Sequence, residues 1–149
     1  MSGDAVMISE APGTLSPIPV KNTFRKSERL SGRKKFEELV KDGAQFFSHP
    51  FRVIWMETEE ALPYPAQIAF AVSKRNFRHA VKRNKVKRIL RESYRRHKHD
   101  FYEQLKMRDK RLRALLIYTP RELPVLTETD AKIILTLQRL IKASAAASR

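Results

Sequence analysis

QIAFAVSKRNFRHAVKRNKVKRILRESYRRHK, residues 67–98, is the stretch whose reading decides the fold. Its first eight residues alternate, with Ile68, Phe70 and Val72 on one side and the small Ala69 and Ala71 on the other. That is the period of a β-strand, and the small side allows a second element to lie close. RNFRH, residues 75–79, is polar and reads as a loop. From Ala80 the period changes: Val86, Ile89, Leu90 and Tyr94 fall at helical spacing, continued by Phe101 and Leu105. This predicts one long helix over about 80–106. Its apolar stripe is needed to cover Ile68, Phe70 and Val72, so helix and strand belong to two packed layers.

Working outward, RLSGRKKFEELVKDG (29–43) predicts a short helix capped by Ser31 and stopped at Gly43. Phe36, Leu39 and Val40 share one of its faces. QFF at 45–47 fits a short strand, and FRVIWME (51–57) a longer one in which Phe51, Val53 and Trp55 alternate with Arg52, Ile54 and Met56. ETEEALPYP is a loop by its charges and prolines, with Glu57, Glu59 and Glu60 in a turn. RALLIYTP (113–120) reads as a buried strand ended by Pro120. Asp130 is expected to cap a last helix that turns Ile133, Ile134, Leu137, Leu140 and Ile141 inward. The pattern is a single α+β sandwich without internal repeats, residues 23–149 forming one domain. Residues 1–22, rich in proline and small residues, are expected to be a disordered tail.

The chain has 149 residues, with 31 Lys and Arg against 16 Asp and Glu and a formal charge of +15. Such a balance favours a polyanionic partner, nucleic acid before an anionic membrane. No cysteine is present, which excludes disulfides, thiolate catalysis and the usual structural zinc sites, and fits a reducing cytoplasm. No apolar run approaches the roughly 18 to 20 residues of a membrane span. No signal peptide is expected, because Lys21 is the first positive charge and Pro12, Pro17 and Pro19 interrupt what precedes it.

Twelve Lys or Arg stand between Lys74 and Lys98 against one acid, Glu92. Arg83, Lys87 and Arg91 recur every fourth residue along one side of the helix, with Arg88 and Arg95 on the neighbouring ridge. Like charges at this spacing repel by a few tenths of a kcal/mol per pair. A merely solvated helix intersperses acids, and a membrane-surface helix keeps bulky apolar residues free for lipid. A polyanion offsets the repulsion better than either. Arginine forks bind phosphate oxygens bidentately, and Asn84 can donate to a phosphate, a 2′-hydroxyl or a base edge.

A-V-S-K at Ala71–Lys74 followed by A-V-x-R-N-x-x-K-R-x-x-R-E at Ala80–Glu92 resembles the signature of the bacterial ribonuclease P protein subunit. The family's R-N-R motif matches at Arg83, Asn84, Lys87, Arg88, Arg91 and Glu92. Arg29, Leu30 and Phe36 upstream, then Gly43 and Phe51, match as well, so the resemblance runs from about Arg29 to Pro120. It implies an α-β-β-β-α-β-α sandwich, with a central mixed sheet and a left-handed βαβ crossover, a fold shared with a ribosomal protein domain. It implies that a large RNA carries the chemistry, cleaving precursor tRNA endonucleolytically at the 5′ leader with Mg²⁺ bound mainly by that RNA. The protein's partners would be the ribonuclease P RNA and precursor tRNA, with neither membrane nor DNA, in the cytoplasm. Lys74, Arg75, Arg83, Asn84, Lys87, Arg88 and Arg91 would contact the catalytic RNA. Phe36, with Phe51, Arg52 and Trp55 as companions, would line a cleft for the single-stranded leader, the aromatics by stacking. The chain departs from the family pattern at Val40 and Ile54, where relatives often carry aromatics. It departs also in the glycine-free loop 75–79 and in I-Y-T-P, where a cleft arginine is missing.

No catalytic residue is expected in the protein. His97 and His99 point to different helix faces and read as solvated members of the basic tract, His49 and His79 stand alone in loops, and the acids are scattered. A structural RNA-binding protein of ribosomal type is the alternative reading. A helix-turn-helix DNA binder is disfavoured because strands flank the basic helix.

Overall fold

A computed structural model describes residues 24–60 and 63–147; the N-terminal tail lies outside the described residues. A 3₁₀ turn at Lys26–Glu28 precedes α1 (Arg33–Asp42), β1 (Ala44–Ser48), β2 (Phe51–Glu57), β3 (Ala66–Val72), α2 (Ala80–Met107), β4 (Leu112–Tyr118) and α3 (Leu126–Ala147). The order is α-β-β-β-α-β-α, as expected. The sheet runs β1-β2-β4-β3, antiparallel at β1/β2 and β2/β4 and parallel at β3/β4. A parallel pair needs a long crossover, and α2 supplies it, leaving β3 and returning the chain to β4. Among the described residues no helix is long and apolar enough to cross a membrane.

The two faces of the sheet differ. Phe51, Val53 and Trp55 of β2, Ile68 and Phe70 of β3, and Ala114, Leu116 and Tyr118 of β4 all enter the main core. There they meet Val86, Leu90, Tyr94, Phe101 and Leu105 of α2 and Ile133, Leu137, Leu140 and Ile141 of α3. The opposite face carries a smaller cluster of Leu30, Leu39, Ile54 and Leu115, with Phe36, Met56, Ala69, Ala71 and Ile117 against it. One short helix, α1, covers only part of that face.

Gly43 fixes where α1 sits. A Cβ there would come within 2.5 Å of the Leu39 carbonyl oxygen and 2.9 Å of Ile54 Cγ2, so the helix end is pressed onto β2 where no side chain fits. Three details differ from expectation. The residue capping α1 is Gly32, with φ of +99°, and not Ser31. That left-handed backbone suits glycine, and the chain enters α1 without a side-chain cap. Asp130 lies a full turn inside α3, where its carboxylate is drawn to α2 instead of to its own helix end. Ile134 is 39 % exposed and so is not part of the inner face.

Candidate nucleic-acid interface

The loop between β3 and α2 is anchored, despite lacking glycine. Backbone N–H groups of Asn76 and Phe77 donate to the Ser73 carbonyl, and Arg75 N–H donates to Ser73 Oγ. Asn76 Nδ2 donates to the Thr119 carbonyl at 2.9 Å, tying the loop to the end of β4. Phe77 is buried beside Tyr118, its ring 6.4 Å away. An aromatic in a run of polar residues is thus a core residue, which its neighbours in sequence concealed. With the loop pinned from below, Lys74, Arg75 and Arg78 are left exposed.

Arg83 also makes contacts within the chain. Its Nη1 donates to the carbonyls of Phe77 and Arg78, both at 2.9 Å, so it buckles the loop to the first turns of α2. Asn84, Arg88 and Arg91 are exposed, and Lys87 is half-buried. Among the described residues, none of the nine Lys and Arg from Lys74 to Arg91 forms an ion pair. Among the described residues no carboxylate neutralises their positive field. Arg88, Arg91 and Arg95 join Arg29, Glu92 and Phe24 around a hollow of about 200 Å³, with the Arg29 guanidinium 5.7 Å above the Phe24 ring.

From Glu92 to Lys98 the lysine and arginines of α2 are matched. Arg95 grips Glu92, and Arg96 Nε approaches the same carboxylate at 3.8 Å. The hydrogen bond from Arg95 holds Glu92 below the usual carboxylate range, and the same bond raises Arg95. Asp130 of α3 accepts from Ser93 Oγ at 2.6 Å and from Arg96 Nη2 at 2.8 Å. Burial pushes the Asp130 carboxyl up, but the Ser93 and Arg96 hydrogen bonds and the charges of Arg96 and His97 outweigh it, and the net shift is downward. His97 Nε2 lies 3.4 Å from Asp130, so this histidine belongs to the α2–α3 contact and is not a solvated member of the basic tract.

Lys98, deeper still, is buried and paired with the fully buried Glu28, which also accepts from Tyr102 Oη at 2.7 Å and from the Arg25 N–H at 2.9 Å. The Lys98 ammonium stands 5.4 Å from the Tyr102 ring and 5.9 Å from that of Tyr64. Burial pushes the Tyr94 and Tyr102 phenols far above the ordinary tyrosine range.

The open sheet face divides the four expected cleft residues. Phe36 is half-buried at its margin, and Arg52 is exposed on it. Phe51 and Trp55 are not on it: 0 % and 6 % exposed, they point through the sheet into the main core. Strand alternation put Phe51, Val53 and Trp55 on one side, and that side is the one covered by α2 and α3. What stays open is a row across the strands, Phe47, Arg52, Ile117 and Ala71, set by the pairings Phe47↔Arg52, Arg52↔Ile117 and Ala71↔Ile117. Phe47, which sequence reasoning passed over, is 53 % exposed. The other end of this face is closed by charge, Arg113 meeting Glu60 at 2.6 Å and Glu38 at 3.3 Å.

Among the described residues no three His, Asp or Glu side chains converge in a way that could hold a metal ion.

The Ribonuclease P family model matches residues 24–119 of the 149-residue chain. The ribonuclease P protein component of Porphyromonas gingivalis W83 is 41 % identical over 75 residues, covering 50 % of this chain and 54 % of that protein. That of Chlorobium phaeobacteroides is 34 % identical over 84 residues, covering 54 % of this chain and 58 % of that protein. The matched stretch thus spans little more than half the length of these curated relatives. The Staphylococcus aureus RNase P protein superposes with a TM-score of 0.61 at 22 % identity, over 77 % of this chain and 96 % of that one. The Thermotoga maritima protein gives 0.59 at 23 %, over 75 % and 96 %. These likenesses speak to the fold, and the family model adds the sequence: the basic loop and helix, and the mixed sheet beneath them, are those of a chain that belongs to the ribonuclease P protein family.

Proposed function

We propose that this chain is the protein subunit of a ribonuclease P holoenzyme and acts in the cytoplasm. It docks on the catalytic RNA through the 74–79 loop and the first half of α2, and takes the 5′ leader of precursor tRNA along the open sheet face. The Mg²⁺-dependent cleavage is left to the RNA. The observation that carries this reading is the run of nine cations from Lys74 to Arg91 without an ion-pair partner among the described residues. Two RNAs that must meet repel each other. A surface whose positive charge is not spent internally can lie between them, release counterions and lower the divalent ion concentration that close approach requires. Arg83 acts by positioning the loop, whereas Lys87, Arg88 and Arg91 are free to bind phosphates.

The test is precursor-tRNA 5′ cleavage by a bacterial ribonuclease P RNA at low Mg²⁺, with no protein, with the native chain, and with Lys87, Arg88 and Arg91 changed together to Ala. Rescue by the native chain and not by the variant is the expected result. Equal rescue by both would remove the docking surface from α2. Failure of the native chain to rescue, together with tight binding to ribosomal RNA, would favour a structural RNA-binding protein instead.

A further inference from the structure

The family pattern places aromatics at two positions that this chain fills with Val40 and Ile54, and neither replacement can stack a base. Ile54 is buried under α1. The open face nevertheless presents one large exposed aromatic, Phe47, on the edge strand β1. A single exposed apolar side chain needs no explanation. Phe47 differs in how firmly it is held and in what stands beside it.

Its strand is clamped from α3 on the far side of the sheet. Arg139 Nη1 donates to the Phe47 carbonyl at 2.9 Å, and the same guanidinium sits 5.2 Å over the Phe46 ring. One residue on, Thr136 Oγ1 lies 3.1 Å from Ser48 Oγ, both side chains buried. On the open side, Phe47 is the cross-strand partner of Arg52. The Arg52 guanidinium is steadied by Gln45 Oε1, which accepts from Nη2 at 2.8 Å and from Nε at 3.2 Å. Two of five guanidinium N–H donors are thereby used, and the others remain for an anion. An exposed ring on a held strand, 6.1 Å from the His49 ring, next to an oriented cation and a shallow apolar floor of Ile117 and Ala71, is an arrangement that suits single-stranded nucleic acid. The ring takes a base face and the cation takes the neighbouring phosphate.

We propose that Phe47 and Arg52 form a base-stacking and phosphate-binding platform on the β1–β2 edge, which extends the leader-binding surface and stands in for the aromatics this chain lacks at Val40 and Ile54. The inference rests on the leader-binding reading above and adds to it the residue that stacks. Because its ring is exposed and touches no core cluster, Phe47 can be replaced without loss of fold.

The experiment measures affinity of the reconstituted holoenzyme, with cleavage blocked by replacing Mg²⁺ with Ca²⁺. Its substrates are precursor tRNA with a long leader, with a leader of one nucleotide, and with none. The chains are native, Phe47→Ala, Phe47→Leu and Phe47→Trp, each checked for an unchanged unfolding midpoint. Phe47→Ala and Phe47→Leu are expected to weaken the long-leader substrate roughly 5- to 100-fold, the range of one lost stacked base, with no change for the leaderless one. Phe47→Trp is expected to retain affinity. Leu keeps apolar area but offers no ring, so native-like affinity of Phe47→Leu would overturn stacking. An equal loss on leaderless RNA would overturn the leader as occupant. If the native holoenzyme discriminates by leader and Phe47→Ala does so equally well, the platform falls and the leader-binding reading stands. If the native holoenzyme does not discriminate, both fall.

Discussion

The two halves of α2 carry similar runs of positive charge and use them in opposite ways. From Ala80 to Arg91 the cations have no acidic partner among the described residues. From Glu92 to Lys98, Arg95, Arg96 and Lys98 are each engaged by a carboxylate from the same helix, from α3 or from the turn before α1. Basic residues are therefore not one population. In the second half they join the helix to its neighbours, and the protein uses up their charge. In the first half they destabilise the helix by mutual repulsion, which a bound polyanion would relieve.

The comparison breaks most severely at the buried pair. Glu28→Ala removes the carboxylate beside the buried Lys98 ammonium, whose side chain is 3 % exposed, and is expected to cost about 3–5 kcal/mol of stability in denaturant unfolding. Changing both partners, Glu28→Gln with Lys98→Met, is expected to recover most of that loss, since neither buried charge then remains. RNA affinity of the folded fraction should stay native. A loss of affinity without a loss of stability would show that Lys98 belongs with the first half and that the division drawn here is wrong.

The first half is expected to respond in the converse way. Lys87→Ala, Arg88→Ala and Arg91→Ala combined should leave stability unchanged or slightly raised, because three mutually repelling charges are gone. Binding to the ribonuclease P RNA should weaken, and the slope of log affinity against log salt should become shallower by about 2–3, roughly one per lost phosphate contact. A lowered unfolding midpoint with an unaltered salt slope would make these residues structural.

Asp130 sharpens the comparison through pH. Its pKa is depressed in the folded chain, so its stabilisation is fully present above the ordinary carboxylate value of about 3.9. That stabilisation is lost as pH falls below this value and through the lower folded one. Asp130→Asn should cost about 1–3 kcal/mol at neutral pH, since Ser93 and Arg96 lose an ionised acceptor. It should also flatten the decline of stability below pH 4. An unchanged acid limb would mean that the α2–α3 contact does not depend on this carboxylate.

Much of this division was legible in residues 67–98. The change of period at Ala80 gave the strand, the helix and the packed stripe, and the motif from Arg83 to Glu92 named the family. What was not legible is what depends on three dimensions. Alternation in β2 says that Phe51 and Trp55 share a side, but not which side α2 and α3 will cover. That is decided by the β1-β2-β4-β3 order and its register, which put Phe47 and Arg52 on the open face instead. The partners of Lys98 and Arg96 lie 70 and 34 residues away, beyond the reach of helical spacing rules, so one charge run looked uniform. The burial of Phe77 and the loop contacts of Arg83 were hidden for a related reason: a loop without glycine can still be fixed if an aromatic plugs it into the core and a guanidinium satisfies its carbonyls.

The smallest expected effect falls on the boundary itself. Glu92 is half-exposed and sits between the two halves, holding Arg95 and within 4 Å of Arg96. Glu92→Gln keeps the shape and removes one negative charge, so stability should change no more than for an ordinary surface substitution. The consequence should appear in RNA binding, because Arg95 already borders the hollow shared with Arg88 and Arg91. With that carboxylate neutralised, the net positive charge beside the hollow rises by one, and the salt slope should steepen by about one. A steeper slope would mean that Glu92 sets where the RNA-facing surface ends, and that the division within α2 is electrostatic. An unchanged slope would mean that bound RNA does not reach Arg95, so that the surface ends at Arg91 by shape, and Glu92 serves only to cancel charge that would otherwise strain the helix.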